Sequence, residues 1–370
     1  MKQFELHPAL CRYDSCEQFC RELKIGRGDL ILTNEFLYRP FFDGCGSGAQ
    51  VIFQEKYGGG EPSDEMAEAI WRDVQGDPQR IIGIGGGTVL DLSKLFALET
   101  VTPVLDLYDK KIEPRKKRRL VLVPTTCGTG SEVTNISILE LKSRSTKLGL
   151  AHEALYADEA ALVPELLRTL PYRFFATSSI DALIHAVESS VSPRATAYTK
   201  LFGYRAIGMI LKGYRRIQRE GQQVYGELLD DFLTASNFAG CAFSNAGCGA
   251  VHAMSYPLSG KYHVAHGEAN YALFTGIFRN YMEISAAGRI DELNGLLAAE
   301  LECPREAVYE RLEELLSAVL VRKPLREYGV TLADLDDFTA NVMEKQGRIT
   351  ANNFVLLDAA RVRKIYGELY

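Results

Sequence analysis

An α/β domain followed by an all-helical domain is the fold class that the sequence predicts, and three observations carry it. In the first half, short apolar runs alternate with helix-like stretches, and two of those runs end in turns rich in glycine and hydroxyls. From about Phe174 onward, strand signals give way to long stretches of helical periodicity. The length of 370 residues is also large for one core, since single cores stop growing near roughly 250–300 residues. Two domains sharing a cleft are therefore expected, 1–175 and 176–370, with the change falling around Leu170-Pro171.

The elements follow in order. Leu30-Ile31-Leu32 and Gln50-Val51-Ile52-Phe53 read as short buried strands. Residues 63–74 place Met66, Ala67, Ile70, Trp71 and Val74 at helical spacing behind a Pro62-Ser63 start signal. Arg80-Ile81-Ile82-Gly83-Ile84 is a third strand and Leu120-Val121-Leu122-Val123 a fourth. Strand, glycine turn, helix and strand in succession signify a parallel sheet with crossover helices. Residues 198–216 and 225–238 carry helical periodicity with few β-branched runs.

Composition excludes several classes of function. Hydrophobic residues at 46% and charged residues at 24% are ordinary for a globular enzyme. A formal net charge of −6 argues against nucleic acid or an anionic membrane as the main partner. The basic run 110–119 lacks interleaved aromatics and precedes a strand, so it reads as a solvated loop. No apolar run approaches the roughly 18–20 residues of a membrane span. The opening MKQFELHPAL lacks the basic-then-apolar pattern of a signal peptide, and a cytoplasmic protein is expected. The eight cysteines (11, 16, 20, 45, 127, 241, 248 and 303) form no C-x-x-C pair. Cys16 and Cys20 stand one helical turn apart, but no second pair supports a metal site, and a reduced thiol set is the better reading.

Two loops suit a phosphate-bearing ligand. Gly85-Gly86-Gly87-Thr88 follows a strand and precedes a helical pattern beginning Val89-Leu90-Asp91. Glycines let backbone N–H groups approach a pyrophosphate, and a helix N-terminus adds a favourable dipole. The G-x-G-x-x-G spacing is not met, and a plain tight turn explains this loop equally well. The second loop, Pro124-Thr125-Thr126-Cys127-Gly128-Thr129-Gly130-Ser131-Glu132, again follows a buried strand and carries four hydroxyls and two glycines. Ligands of open α/β sheets bind at that end of the strands, so two such loops in one sheet point to a dinucleotide.

The helical half holds the metal candidates. Asp181 and His185 are four apart in a helical stretch, which puts carboxylate and imidazole on one face. The chain has six histidines, and three of them, His252, His263 and His266, fall within residues 251–267. One carboxylate and up to three neutral imidazoles suit Fe²⁺ or Zn²⁺ with positions open for a substrate oxygen. Spacing alone leaves scattered core histidines as a close alternative.

With these residues assembled, the chain resembles the iron-dependent (group III) alcohol dehydrogenase family over essentially its whole length. The matching pieces are GGGT at 85–88, PTTCGTGSEVT at 124–134, DALIHAVE at 181–188, GAVHAMSYPL at 249–258 and HGEAN at 266–270. Within the family it is similar to the branch that acts on 4-hydroxybutyrate, through ILTNEFLY at 31–38, FQEKYGGGEPSDEM at 53–66 and RKPLREYG at 322–329. The resemblance implies an N-terminal Rossmann-like dinucleotide-binding α/β domain and an all-α C-terminal metal-binding domain. It implies one divalent metal, Fe²⁺ before Zn²⁺, on Asp181, His185, His252 and His266, with His263 left out because its counterpart is not a ligand. Cofactor contacts carry over onto Gly85, Gly86, Gly87 and Thr88, with Asp91 behind them, onto Thr125, Thr126, Thr129 and Ser131, and onto Lys147. The implied substrate is an alcohol or aldehyde bearing a carboxylate, 4-hydroxybutyrate exchanging with succinate semialdehyde, and the implied assembly is a homodimer.

Three positions depart from the family pattern. Tyr256 stands where many members have a second histidine proposed to relay protons, so Tyr256 or His263 is expected to handle the proton. Asn34 stands where many have an Asp near the adenosine ribose. Asn34 lacks the charge that repels a 2′-phosphate, but the nearest Arg is Arg39, five residues on, so NAD is expected over NADP. Glu61-Pro62-Ser63 replaces an Asn-Pro-Thr-like stretch. A substrate carboxylate needs a cationic or multiple-donor partner, for which Lys261, His263 and Tyr256 are candidates. Hydride would pass from the carbinol carbon to nicotinamide, with the metal as Lewis acid on the substrate oxygen. Cys127, inside the second loop, reads as a packing residue. Two rivals are a lyase resembling dehydroquinate synthase, which would need dense Lys and Arg in the second domain, and a dinucleotide-binding regulator, which would not need a metal.

Overall fold

A computed structural model describes residues 2–45, 48–144 and 146–370. The chain divides into two compact units, Leu6–Leu170 and Pro171–Tyr370, the latter joined by the N-terminal residues up to Glu5. No helix among the described residues is long and apolar enough to cross a membrane.

The first unit runs β1 (Ala9–Arg12), α1 (Cys16–Leu23), β2 (Asp29–Thr33), α2 (Glu35–Phe42), β3 (Gln50–Phe53), α3 (Asp64–Asp73), β4 (Arg80–Gly85), α4 (Gly87–Phe96), α5 (Val104–Tyr108), β5 (Arg119–Pro124), β6 (Ile136–Leu141), β7 (Thr146–Ala151) and β8 (Glu159–Leu162). Six strands form one parallel sheet in the order β1-β8-β5-β4-β2-β3. β6 and β7 form a separate antiparallel pair. The central strands are buried along nearly their whole length, as expected of parallel strands covered by helices on both faces. Edge strand β1 is mostly exposed and β8 is the alanine-rich Glu-Ala-Ala-Leu, which is why neither gives a sequence signal. Helix α3 starts where the Ser63 hydroxyl accepts from the Met66 N–H at 3.1 Å, a serine N-cap, and it buries Met66, Ala67 and Ile70.

Strand order also locates the ligand end of this sheet. The chain leaves β2 for β3 on one side and leaves β4 for β5 on the other. Adjacent strands β2 and β4 therefore form the topological switch point, and ligands of open α/β sheets bind outside the carboxyl ends of such strands. Those ends carry Asn34 and the Gly85-Gly86-Gly87 turn.

The second unit is helical: α6 (Tyr172–Val191), α7 (Ala197–Glu220), α8 (Tyr225–Ala246), α9 (Ala250–Tyr262), α10 (His266–Ile284), α11 (Arg289–Leu301), α12 (Val308–Val319), α13 (Asp334–Lys345), α14 (Gly347–Thr350) and α15 (Ala359–Leu369). Helices α6, α7 and α8 pack on one another, and α10 packs against α6 and α9. From Ser179 to Val191 every residue of α6 is buried. A helix buried on all sides must pair its polar side chains inside the protein, so Asp181, His185 and Glu188 require internal partners.

Candidate functional site

The helical unit gathers the charged and imidazole side chains. Asp181, His185 and Glu188 occupy one face of α6, while His252 comes from the first turn of α9 and His266 opens α10. Gly267 permits the approach of α10: a Cβ there would lie 2.2 Å from the carbonyl oxygen of Thr177 on α6. The Asp181 carboxylate faces His252 Nε2 at 3.6 Å, His266 Nε2 at 3.9 Å and His185 Nδ1 at 3.9 Å. These separations exceed hydrogen-bond length but are within reach of a shared ion. Burial alone would raise the Asp181 pKa, yet His185, His266 and His252 outweigh it and hold the carboxyl well below the usual range.

Donor chemistry supports a metal. His252 Nε2 is buried without a hydrogen-bond partner, while its Nδ1 donates to Glu188 Oε2 at 2.6 Å. A carboxylate on one ring nitrogen fixes the tautomer and leaves the other nitrogen's lone pair for an ion. The second Glu188 oxygen accepts from the Val251 N–H at 2.7 Å, so the same carboxylate also caps the N-terminus of α9. Asn270, one turn into α10, donates to Asp181 Oδ1 at 2.7 Å and stands 3.2 Å from His266 Nε2. Among the described residues, the possible ligand atoms fall into two groups sharing His252: Asp181, His252 and His266, and His185, Cys248 and His252.

Glu188, Asn270 and Cys248 did not enter the expected site. Glu188 and Asn270 stood inside DALIHAVE and HGEAN and could have been found as the next polar positions on the same helical faces as His185 and His266. Of the two candidates for proton handling, Tyr256 has its ring 6.1 Å from that of His266. His263 is the exposed C-cap of α9 in the left-handed region, at φ 53°, and belongs to neither ligand group. Lys261 is ion-paired with Asp334, which also accepts from the Tyr262 hydroxyl at 2.7 Å, so its charge is already matched.

The two loops of the α/β unit lie against each other. A Cβ on Gly87 would stand 3.0 Å from the Thr129 methyl, and one on Gly86 3.5 Å from that of Thr126. Thr125 N–H donates to the Gly85 carbonyl at 3.1 Å, which pins the second loop to the first. Gly86, Gly87, Thr88, Thr126 and Thr129 are half-buried and remain open to a ligand, although the Thr88 hydroxyl donates to Gly60 O at 3.1 Å.

Asp91 and Ser131, expected as cofactor contacts, are engaged inside the protein. Lys94 is wholly buried and places Nζ within 3.1 Å of Asp91 Oδ1, Ser131 Oγ, Thr134 Oγ1 and Ile136 O. Ser131 Oγ also donates to Asp91 Oδ1, and the other Asp91 oxygen accepts from the Ile138 N–H at 2.9 Å. A buried ammonium requires paired oxygens, and both side chains supply them. Burial lowers the Lys94 pKa, and Asp91 and Glu132 oppose that shift. Lys147 is likewise held, 3.2 Å from Glu61 Oε1.

Asn34, the N-cap of α2, donates to Glu55 Oε2 at 2.9 Å and Gln54 Oε1 at 3.3 Å. The other Glu55 oxygen accepts from the Glu35 N–H at 2.6 Å. A carboxylate thus stands beside Asn34 after all, supplied from just beyond β3.

Known proteins match the chain over its length. Residues 9–164 match the family described as iron-containing alcohol dehydrogenase, and residues 175–370 match the C-terminal part of the Fe-containing alcohol dehydrogenase family. The 4-hydroxybutyrate dehydrogenase of Clostridium kluyveri is 49% identical over 372 residues, covering 100% of both chains. Long-chain-alcohol dehydrogenase 1 of Geobacillus thermodenitrificans is 36% identical over 82% of this chain and 77% of its own. A crystal structure of sulfoacetaldehyde reductase from Bifidobacterium kashiwanohense in complex with NAD+ shares the fold, with a TM-score of 0.85 at 19% identity over 100% of this chain and 98% of that one.

Proposed function

This chain belongs to the iron-containing alcohol dehydrogenase family and is an oxidoreductase, and we propose that it interconverts 4-hydroxybutyrate and succinate semialdehyde with NAD. The observation that carries the reaction class is the convergence of three imidazoles on buried Asp181, with His252 Nε2 left without a hydrogen-bond partner. The name of the relative 49% identical over both full lengths supports the substrate. The matched family and the full-length relative support this reading over the lyase.

In this reading Asp181, His185, His252 and His266 hold one divalent ion, Fe²⁺ before Zn²⁺, which supplies Lewis acidity toward an alcohol or carbonyl oxygen. NAD, held by the α/β unit, supplies the hydride acceptor. The protein's own part is positioning. Glu188 keeps His252 Nδ1 protonated and its Nε2 free, and Asn270 orients Asp181. Backbone N–H groups of the Gly85-Gly86-Gly87 turn and the N-terminus of α4 take the pyrophosphate. Glu55, bonded to Asn34 at the switch point, places negative charge beside the expected adenosine ribose and favours NAD over NADP. Tyr256 is the candidate proton handler and a neutral donor toward the substrate.

The test is NAD reduction with 4-hydroxybutyrate against 1-butanol. A charged hydrogen bond to the substrate carboxylate contributes about 1.5–3 kcal/mol, so kcat/KM should favour 4-hydroxybutyrate roughly ten- to hundredfold. A ratio near one, or a preference for butanol, leaves a general alcohol dehydrogenase. The same reading places the enzyme in the cytoplasm, supported by eight cysteines that form no disulfide, and takes it as a homodimer, which sedimentation velocity would check.

A further inference from the structure

We propose that Cys248 is a fifth donor of the metal centre, making it a mixed oxygen, nitrogen and sulfur site. The inference rests on the metal reading above and adds a ligand to it. Cys248 Sγ, a His185 ring nitrogen and a His252 ring nitrogen all lie within 4.8 Å of one another. His252 is common to this group and to the Asp181 group, and its Nε2 is the buried atom without a hydrogen-bond partner. An ion serving both groups would therefore have the thiol on its His185 side.

The backbone holds Cys248 in place from both directions. It lies between α8 and α9 with a glycine on either side. Gly247 has φ +76°, and a Cβ there would stand 2.7 Å from Asn352 Nδ2; a Cβ on Gly249 would stand 2.9 Å from Asn353 Oδ1 and 3.2 Å from Glu188 Oε1. The Asn352 amide donates to Ala246 O at 2.8 Å and to Cys248 O at 3.0 Å. Asn353 Oδ1 accepts from the Ala250 N–H at 3.0 Å. The turn is thus fastened to residues 352 and 353, one glycine abuts the carboxylate that orients His252, and Cys248 carries the turn's only side chain beyond Cβ.

Sulfur narrows the range of ions that suit the site. A soft thiolate donor turns the site against hard ions such as Mg²⁺ and Mn²⁺. As the sulfur–metal bond forms, the thiol releases its proton to solvent.

The probe is Co²⁺ loaded into the full chain in place of the native ion. Sulfur ligation predicts a thiolate-to-Co²⁺ charge-transfer band in the near ultraviolet that disappears in C248S while the protein still binds one Co²⁺. X-ray absorption of the unmodified protein loaded with Zn²⁺ should show a sulfur scatterer at about 2.3 Å, and this needs no variant. A single bound Co²⁺ without the band, a band that survives C248S, or a Zn²⁺ shell of nitrogen and oxygen alone overturns the thiolate assignment and leaves the four-ligand reading standing. Failure to bind either ion overturns both.

Discussion

Glu188 on α6 accepts a 2.6 Å hydrogen bond from His252 Nδ1 on α9, across 64 residues of sequence. That contact decides which imidazole nitrogen faces Asp181. Replacing a partner of this kind weakens metal affinity about 10- to 100-fold. E188Q, which keeps the shape but loses the charge, is expected to show a loss of that size in competition with a chromophoric chelator. Unchanged affinity would limit Glu188 to capping α9.

The ligand set itself is tested by H252A and H266A. Each should lose bound metal and turnover together, because each removes an imidazole facing Asp181. Metal analysis of both variants after anaerobic purification checks this. Full occupancy in both would exclude these two residues as ligands.

Proton handling separates Tyr256 from His263. The Tyr256 ring neighbours His266, whereas His263 is exposed at the end of α9. Y256F should therefore alter the pH dependence of kcat, and H263N should leave it as it is. A profile altered only in H263N would reverse the assignment. If neither variant changes it, the proton travels by water or cofactor ribose.

Glu55 should set cofactor preference. Its carboxylate is bonded to Asn34 and would repel a 2′-phosphate. An exposed charge acts with about 1 kcal/mol or less, so E55Q should raise the NADPH-to-NADH ratio of kcat/KM up to roughly fivefold. The change should shrink at high ionic strength. Calorimetric binding of the two cofactors provides a readout independent of turnover, and an unaltered ratio of affinities would count against this role.

Lys94 should matter for stability rather than contact. K94M leaves the Asp91 carboxylate without its buried cation, and breaking such a pair costs about 3–5 kcal/mol. Urea unfolding followed by far-ultraviolet circular dichroism measures this. A loss below 1 kcal/mol would mean that water or a neighbouring donor replaces the ammonium.

The fold class, the two glycine- and hydroxyl-rich loops and the candidate ligands were legible in the sequence. Each depends on neighbours a few residues apart: apolar periodicity, a glycine turn after a strand, a carboxylate and an imidazole one helical turn apart. Asn34 entered through the family resemblance, at its place after a strand. What surrounds these residues was decided by tertiary structure alone. Asp91 and Ser131 share their oxygens with Lys94, buried between them, a partnership that no local spacing displays. Asn34 looks uncharged until β3 brings Glu55 alongside it. Lys261 looks available until Asp334, 73 residues away, neutralises it. In each case a buried or closely paired charge is satisfied by a group from a different element. Local periodicity records which face a residue occupies, but only packing determines which partner that face meets.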